Sequence, residues 1–297
     1  MIAPVKQYLC VTLSYWAFTL TDGALRMLVL LFFHGLGYSP IEIASLFLLY
    51  EFFGMVTNLY GGWLATRIGL TRTLQIGLAV QILSLTMLLK DASALTVTYV
   101  MLAQALSGIA KDLSKMSAKS SIKALVPEQA QSQLYRWIAL LTGSKNALKG
   151  LGFFLGGALL AWFGFQTTIV FLVALLIMVL AIGFFILETN CGKASYKTKL
   201  RDSLIKTDRI NRLSAARMFL FCARDIWFVV ALPVFLQSQL AWSYIEVGSL
   251  MAAWVIGYGA VQTVVPSITS LNGALANGTA LFKWASLLFV APCLMAA

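Results

Sequence analysis

The sequence has few charged residues for its length. Asp, Glu, Lys and Arg make up 11% of its 297 residues, whereas a typical soluble domain contains about 25%. Hydrophobic residues make up 60% of the chain, and its mean hydropathy is +0.85. The core of a soluble domain cannot bury this much apolar surface, but a lipid bilayer can. The composition therefore excludes an ordinary soluble enzyme and predicts a membrane protein.

The sequence also lacks the motifs of metal sites and of catalysis. No C-x-x-C pattern occurs, because the cysteines are dispersed at Cys10, Cys191, Cys222 and Cys293. We therefore expect no disulfide framework, no zinc site and no cofactor. Paired catalytic carboxylates, a nucleophile beside a base and a glycine-rich phosphate loop are not recognisable, which argues against a membrane enzyme. No signal-peptide cleavage pattern accompanies the first apolar segment, which we expect to remain as a span.

Positive charge is in excess, with a formal net charge of +11. Such an excess can indicate a protein that binds nucleic acid. Here the basic residues fall between apolar segments and form no basic stripe. We therefore expect the lipid bilayer, and no nucleic acid, as a partner of this chain.

Nine apolar segments are long enough, or nearly so, to cross about 30 Å of hydrocarbon as helices. They are Tyr8–Phe33, Ile41–Ala65, Thr73–Leu89, Ala94–Lys119, Leu134–Phe163, Thr167–Leu187, Leu213–Gln237, Tyr244–Val265 and Thr279–Ala297. Basic loops alternate with loops that have no basic residue or a single Lys: Arg67 and Arg72 follow the second span, whereas residues 34–40 and 164–166 contain neither Lys nor Arg. The positive-inside rule then predicts a membrane protein whose amino terminus and basic loops face the cytoplasm.

The chain contains an internal repeat. Ser39–Leu46 opens the second span and Ser243–Leu250 opens the eighth, and five of the eight positions are identical at a separation of 204 residues. A repeat in one orientation is typical of transporters that are built from two six-helix halves. We therefore predict a six-helix N-terminal half over residues 1–189, a basic cytoplasmic linker over 190–212 and an incomplete C-terminal half over 213–297. On this interpretation the chain is a fragment that lacks its last three helices.

Residues 62–72 resemble the loop signature of the major facilitator superfamily between its second and third helices. The matching positions are Gly62, Leu64, Ala65, Arg67, Gly69 and Arg72. Thr66 stands where the signature has Asp, and Leu70 stands where it has a basic residue. Gly152, Gly156 and Gly157 resemble the glycine motif of the antiporter branch, without its proline. The resemblance implies an all-α polytopic major facilitator fold, here with about three helices of a truncated C-terminal half.

Four stretches carry a closer resemblance, to the organoarsenical efflux permeases of bacterial arsenic-resistance operons. They are Tyr15–Arg26, Tyr50–Gly54, Gln104–Asp112 with Lys115–Lys123, and Thr142–Gly150. This resemblance implies that the protein exports 1-arseno-3-phosphoglycerate and confers resistance to arsenate. It also implies a functional link to glyceraldehyde-3-phosphate dehydrogenase, which makes that ester when arsenate replaces phosphate. We expect a monomer.

Charged residues inside the predicted spans are the candidate functional residues. Each costs about 2.5–3.5 kcal/mol at the centre of a membrane helix, so they must face a watery cavity or one another. The predicted substrate-binding residues are Arg26, Lys111, Lys115, Lys145, Asn146, Lys149 and Arg224. The predicted proton-coupling or ion-pairing residues are Asp22, Glu51, Asp112 and Asp225. A lysine-rich cavity that also holds a few acids suits a multiply charged anion, because phosphate and carboxylate oxygens favour ammonium and guanidinium donors.

Several alternatives remain open at the level of sequence. Arg26 and Arg224 are similar to the arginine pair that grips phosphate in organophosphate–phosphate antiporters of the same superfamily, but Arg26 could instead pair with Asp22 one helical turn away. Lysines near helix ends can also reach the headgroups, although this is geometrically poor for Lys145 and Lys149. The substrate could be another organic or sugar phosphate. A drug exporter is the further alternative, and the two lysines argue against it.

Overall fold

The computed structural model describes residues 4–125, 131–187 and 226–269, with three isolated positions between the last two ranges. Every regular element in these ranges is a helix, as the hydropathy predicted. The helices are α1 (Pro4–Gly35), α2 (Pro40–Leu46), α3 (Leu48–Ile68), α4 (Leu70–Met87), α5 (Val97–Leu125), α6 (Gln131–Ile186), α7 (Leu232–Ser238) and α8 (Tyr244–Thr269). A 3₁₀ turn (Ala92–Ala94) precedes α5, and a π-helical segment (Ile226–Ala231) precedes α7. The predicted span Thr279–Ala297 and nearly all of the predicted linker 190–212 lie outside these ranges.

Within the described ranges, three helical stretches are long and apolar enough to cross a membrane: Val5–Gly35, Pro40–Asn58 and Gly143–Ile186. The last of these breaks at Gly164, where φ is 75° and ψ is 179°. This left-handed φ is accessible to glycine at little cost, which explains why the chain reverses here. The break divides α6 into a first arm (131–163) and a second arm (165–186). The two spans predicted on either side of residues 164–166 are therefore present.

Aromatic and polar contacts at one end of the bundle bring three turns together. Phe32, near the end of α1, stacks on Phe165 beyond the α6 break with ring centroids 4.0 Å apart. Gln166 Nε2 donates a hydrogen bond of 3.4 Å to the carbonyl oxygen of Lys90, which follows α4. The end of α1, the α4–α5 connection and the α6 break therefore lie at the same end.

The opposite end of the bundle is closed by a second group of contacts. Tyr8 in the first turns of α1 stacks on Trp137 in the first turns of α6, with centroids 4.1 Å apart. The buried cluster around them also contains Ile122 near the end of α5 and Leu187 just after α6. Successive spans of the N-terminal part therefore run in alternating directions, as the alternation of basic and uncharged loops predicted.

The second span is interrupted, which the sequence did not predict. At Phe47 the backbone N–H bonds to the carbonyl oxygen of Ala44 at 3.2 Å, so one turn tightens from an α-helical to a 3₁₀ pattern. The interruption separates α2 from α3. It lies just before Tyr50 and Glu51, which enter the site described below.

The repeat found in the sequence has a structural counterpart at the start of α2 and of α8. Ser39 Oγ and its backbone N–H both donate to the Glu42 carboxylate at 2.8 Å. Ser243 makes the same two contacts with Glu246, at 2.7 and 2.8 Å. Both serines also accept from the backbone N–H of the glutamate, so each helix begins with a capping box. Corresponding helices of the two parts are therefore initiated in the same way.

Close glycine packing places the first arm of α6 between α1 and α8. A Cβ on Gly23 of α1 would lie only 2.8 Å from the carbonyl oxygen of Lys149, and a Cβ on Gly156 would lie 3.1 Å from Cα of Ala24. On the other side, a Cβ on Gly150 would lie 2.9 Å from the carbonyl oxygen of Ala252 of α8. Small residues allow this close approach of helices. The arm that carries Lys145 and Lys149 is thus held between the two parts of the chain.

The π-helical segment before α7 has a local cause. Pro233 has no backbone N–H and cannot donate to the carbonyl oxygen of Val229, four residues earlier. Its ring also crowds that carbonyl, and a π-helical turn is one way for a helix to accommodate the missing bond. The segment begins at Ile226, directly after the predicted site residues Arg224 and Asp225, which lie outside the described ranges.

Candidate functional site

Seven charged side chains from four helices come together inside the bundle, and we call them the charged cluster. They are Asp22 and Arg26 of α1, Glu51 of α3, Lys111, Asp112 and Lys115 of α5, and Lys145 of α6. All seven were predicted site residues. Their convergence explains how so many charges are accommodated inside an apolar chain.

Glu51 lies between two cations from different helices. Its Oε1 forms an ion pair with Nη2 of Arg26, and its Oε2 accepts from Nζ of Lys111 at 3.2 Å. The Arg26 side chain is 4% exposed and the Glu51 side chain is 35% exposed. The carboxylate therefore lies at the accessible edge of the cluster, whereas the guanidinium lies inside it.

The helical spacing had suggested a different partner for Arg26, namely Asp22. Among the ion pairs of the described residues, Arg26 is paired with Glu51 and no Asp22–Arg26 pair occurs. The Asp22 carboxylate instead accepts a hydrogen bond of 2.6 Å from the hydroxyl of Tyr50. Spacing along one helix gave the wrong alternative because the contacts between helices decide the pairing.

Tyr50 is the residue of this site that the sequence analysis did not select. Its side chain is fully buried. The guanidinium carbon of Arg26 lies 4.2 Å from the centroid of its ring, and Nζ of Lys111 lies 4.1 Å from it. Such distances are favourable for cation–π attraction. Its position directly before Glu51, in a stretch that carries the family resemblance, was the available signal.

Glycine allows α3 and α5 to approach closely enough to form these contacts. A Cβ on Gly54 would lie 2.8 Å from Oδ2 of Asp112 and 3.4 Å from Nζ of Lys111. A Cβ on Gly108 would overlap the backbone of Tyr50. At Gly108 a larger residue would push the helices apart, because the contact there is with backbone, whereas at Gly54 it would displace the ends of the Asp112 and Lys111 side chains. The same close approach lets Lys111 reach across α3 to Glu51.

Asp112 and Lys115 extend the cluster along α5. Oδ1 of Asp112 accepts from Nζ of Lys115 at 3.1 Å, and its Oδ2 lies 4.0 Å from Nζ of Lys111. The predicted lysine stripe on this helix is therefore partly neutralised by an acid of its own helix. Lys119, one turn further along, is outside these pairs.

Lys145 is the cation of the cluster that is paired with no acid among the described residues. It is partly buried, and the charged groups near it include Lys115, Lys119, Lys111 and Asp22. It forms no ion pair with any residue in the part of the chain that the structure describes. One turn of the arm is fixed beside it, since Trp16 Nε1 donates to Oγ of Ser144 at 2.8 Å. The other six members of the charged cluster are three cations and three acids, so Lys145 gives the cluster a formal net charge of +1.

Asn146 and Lys149 lie on the same arm but in different surroundings. A Cβ added to Gly259 of α8 would lie 2.9 Å from the Cβ of Asn146. The Nζ of Lys149 lies 5.5 Å from the ring centroid of Phe153. Asn146 is therefore at the contact with α8, and the role of both residues in binding stays a prediction, as does that of Arg224 and Asp225.

The predicted loop motif connects α3 to α4. Gly69 forms the turn itself, with a φ of 93° that favours glycine. Arg67 and Arg72 flank it and are exposed, and the guanidinium of Arg67 lies 4.6 Å from the ring centroid of Trp63. A Cβ added to Gly62 would lie 3.9 Å from Sδ of Met116 on α5. No ion pair involves either arginine among the described residues.

Two further features bear on what this site can hold. In residues 4–125, 131–187 and 226–269, no group of three His, Cys, Asp or Glu side chains is placed so that it could hold a metal ion.

An apolar groove of about 1060 Å³ lies between α1 and the second arm of α6, lined by Leu9, Leu13, Met178 and Ile182 among others. Lys6 at this groove is not part of the charged cluster. The cluster and the groove are therefore separate features.

Comparison with known proteins identifies the family and the fold. The sequence profile described as Major Facilitator Superfamily matches residues 8–297. No curated protein matches the chain significantly in sequence. A solved structure from a study of substrate recognition in proton-dependent oligopeptide transporters has a TM-score of 0.56 and 15% identity, over 79% of this chain and 51% of the other.

Two further solved structures give the same result. A bacterial homologue of the human drug peptide transporters PepT1 and PepT2 has a TM-score of 0.54 and 14% identity, over 91% of this chain and 57% of the other. Tetrameric PepTSo2 has a TM-score of 0.50 and 12% identity, over 96% and 58%. At such identities the likeness concerns the fold alone. The chain spans between about half and three fifths of the length of these structures.

Proposed function

Because this chain belongs to the Major Facilitator Superfamily, we propose that its protein is a secondary active transporter that exports an anionic organoarsenical. The proposed substrate is 1-arseno-3-phosphoglycerate, and export from the cytoplasm would confer resistance to arsenate. The substrate class follows from the charged cluster. The arsenic follows from the family resemblance of four stretches of the sequence. We further propose that the protein lies in a bacterial inner membrane with its amino terminus in the cytoplasm.

The observation that carries the proposal is the environment of Lys145. A partly buried ammonium with lysines as its main charged neighbours is unfavourable unless an anion joins it. The anion would gain charge-assisted hydrogen bonds in a region shielded from bulk water, where such bonds are stronger. The site therefore favours a substrate that carries negative charge. Lys145 forms no ion pair within the described ranges, and a neutral drug would add no counter-ion to it.

The cluster offers donors that suit the oxygens of a phosphate or arsenate ester. Arg26 presents a planar guanidinium, and Lys111 and Lys115 present ammonium groups on an adjacent helix. Each is already paired with an acid, so binding exchanges an internal carboxylate for a substrate oxygen rather than creating a new pair. Such an exchange keeps the cations paired while substrate enters and leaves, and Glu51, at 35% exposure, is the carboxylate that can be released to the accessible edge.

The valence of the arsenic can be argued from cysteine. Trivalent arsenic binds soft thiolates that are clustered together. Cys10 is the one cysteine in the described part of the chain, and it is buried on α1 near the end that carries Tyr8 and Trp137. The cluster itself supplies nitrogen donors. A pentavalent arsenate ester therefore fits this site better than arsenite does.

A second candidate is export or exchange of another organic phosphate. The same cations would bind the phosphate of a sugar phosphate or of 3-phosphoglycerate, because the donors recognise oxyanions and not arsenic. The two candidates differ in what they require of the cell. Only the organoarsenical exporter requires that arsenate first be converted into an ester.

The test is arsenate tolerance of cells that express the protein from its complete reading frame. We expect tolerance to rise only when glyceraldehyde-3-phosphate dehydrogenase is co-expressed, because the substrate must be synthesised before it can be exported. The matched control expresses a catalytically inactive dehydrogenase. Equal tolerance with the active and the inactive dehydrogenase would refute the organoarsenical assignment, and it would leave the organic-phosphate candidate.

A further inference from the structure

Tyr50 joins three charged residues of the cluster, and each contact uses a different part of its side chain. Its hydroxyl donates to Asp22 at 2.6 Å. Its ring lies 4.2 Å from the guanidinium carbon of Arg26 and 4.1 Å from Nζ of Lys111. Arg26 and Lys111 are also the two cations that share the Glu51 carboxylate. One buried aromatic residue thus contacts both cations of the Glu51 position.

We propose that Tyr50 is a positioning residue that sets the spacing of Arg26 and Lys111, so that one oxyanion fits between them in the place of the Glu51 carboxylate. The inference concerns the site of the proposed function and rests on anion binding there. It does not depend on arsenic. In this structure the Glu51 carboxylate occupies the position that we propose for the substrate oxyanion, because one of its oxygens pairs with Arg26 and the other with Lys111.

Exposure indicates which partner leaves when substrate binds. The Glu51 side chain is 35% exposed, whereas those of Arg26 and Lys111 are 4% and 24% exposed. The carboxylate can therefore turn outward while the cations stay. A carboxylate, phosphate or arsenate group presents two oxygens at a similar spacing and can replace it, with phosphate and arsenate bringing more negative charge.

Two cations that lose their shared anion repel each other, and both are on long side chains. The Tyr50 ring opposes this separation because its negative face attracts both of them. The hydroxyl bond to Asp22 fixes the ring, and the close approach of Gly108 to the Tyr50 backbone fixes the residue. The cations therefore keep their spacing in the interval between the departure of Glu51 and the arrival of substrate.

The experiment is a double-mutant cycle on the purified protein in lipid nanodiscs, with 3-phosphoglycerate as the probe and calorimetry as the measure of Kd. Glu51→Gln removes the competing carboxylate, and we expect it to tighten binding by about tenfold, because the probe no longer displaces a charged partner. In the Tyr50→Leu background the same change should tighten binding by less than about threefold, since the cations are no longer held together.

Ring electrostatics can be tested without altering the packing. Tyr50→Phe retains the ring and should preserve most of the tenfold effect of Glu51→Gln. Replacement of Tyr50 by 3,4,5-trifluorophenylalanine keeps nearly the same shape but removes the negative ring face, and should abolish the effect. The thermal midpoint of each variant is recorded in parallel. These two variants decide the question even if Tyr50→Leu fails to fold.

Tyr99→Leu is the matched control, because Tyr99 also contacts a lysine, at 4.6 Å, and donates its hydroxyl to a carbonyl, but lies outside the cluster. It should leave the effect of Glu51→Gln unchanged. An equal gain from Glu51→Gln in the native, Tyr50→Leu and trifluorophenylalanine backgrounds would overturn the inference, and so would the absence of any binding of the probe. If the double-mutant cycle gives the expected result but arsenate tolerance does not depend on the active dehydrogenase, only the arsenic assignment is refuted.

Discussion

Lys145 on α6 and Lys115 on α5 are close enough for their like charges to repel each other across the site. Lys115 is stabilised by Asp112 at 3.1 Å, whereas Lys145 forms no ion pair among the described residues. The two lysines therefore have different roles in the same cluster. Lys115 belongs to an internal pair, and we propose that Lys145 is the cation whose charge a substrate balances.

The close approach of α3 and α5 gives a prediction for Gly108. In Gly108→Ala the new Cβ would meet the backbone of Tyr50, which cannot move without displacing Glu51 as well. We expect the variant to be destabilised by about 1–3 kcal/mol, the usual cost of overpacking. We also expect weaker binding of 3-phosphoglycerate. The thermal midpoint in detergent and the Kd measure the two effects.

Gly183→Ala is the control for this change. Gly183 is also a helical glycine, but a Cβ there would lie 3.7 Å from Cδ1 of Leu187, an ordinary contact. Alanine is the better helix former by about 1 kcal/mol, so this variant should be neutral or stabilised. Similar behaviour of the two variants would mean that the α3–α5 contact is not as tight as the structure has it.

The orientation of the protein is the second prediction. Alkaline phosphatase is active only after export from the cytoplasm, so a fusion after Gly37 should be active. A fusion after Gly69, between Arg67 and Arg72, should be inactive, because basic loops are retained in the cytoplasm. Both fusions are checked for equal abundance by immunoblotting. Activity of the second fusion and inactivity of the first would reverse the proposed orientation.

Much of the helical scaffold could be predicted because it depends on local properties of the sequence. Hydropathy located the described spans, and the uncharged turn at Gly164 divided α6 as expected. The two segments Ser39–Leu46 and Ser243–Leu250 are alike in sequence and both begin with a capping box, since a capping box is encoded within four residues. In each case the determining interaction is with lipid or with near neighbours in the chain.

The details of the site could not be predicted in this way because they depend on contacts between helices. Burial cost identified Arg26 and Glu51 as functional candidates, but spacing along α1 suggested Asp22 as the partner of Arg26. Tyr50 was not predicted as a site residue, because an aromatic residue in an apolar span is ordinarily part of the hydrophobic packing. The 3₁₀ turn at Phe47 likewise has no signal such as Gly or Pro at that position.

The central proposal is that the Lys145 ammonium binds the substrate, and replacement of Lys145 tests it directly. Lys145→Gln retains a polar side chain with N–H donors, one methylene shorter than lysine, and removes the charge. We measure uptake of 1-arseno-3-phosphoglycerate, generated in situ by the dehydrogenase, into everted membrane vesicles, and normalise it to the amount of transporter. Since a charge-assisted contact contributes about 1.5–3 kcal/mol, uptake per molecule should fall by about tenfold or more. Membrane abundance should stay equal or rise, because a neutral side chain costs less within the membrane. Unchanged uptake per molecule with reduced abundance would contradict the account and make Lys145 a structural residue.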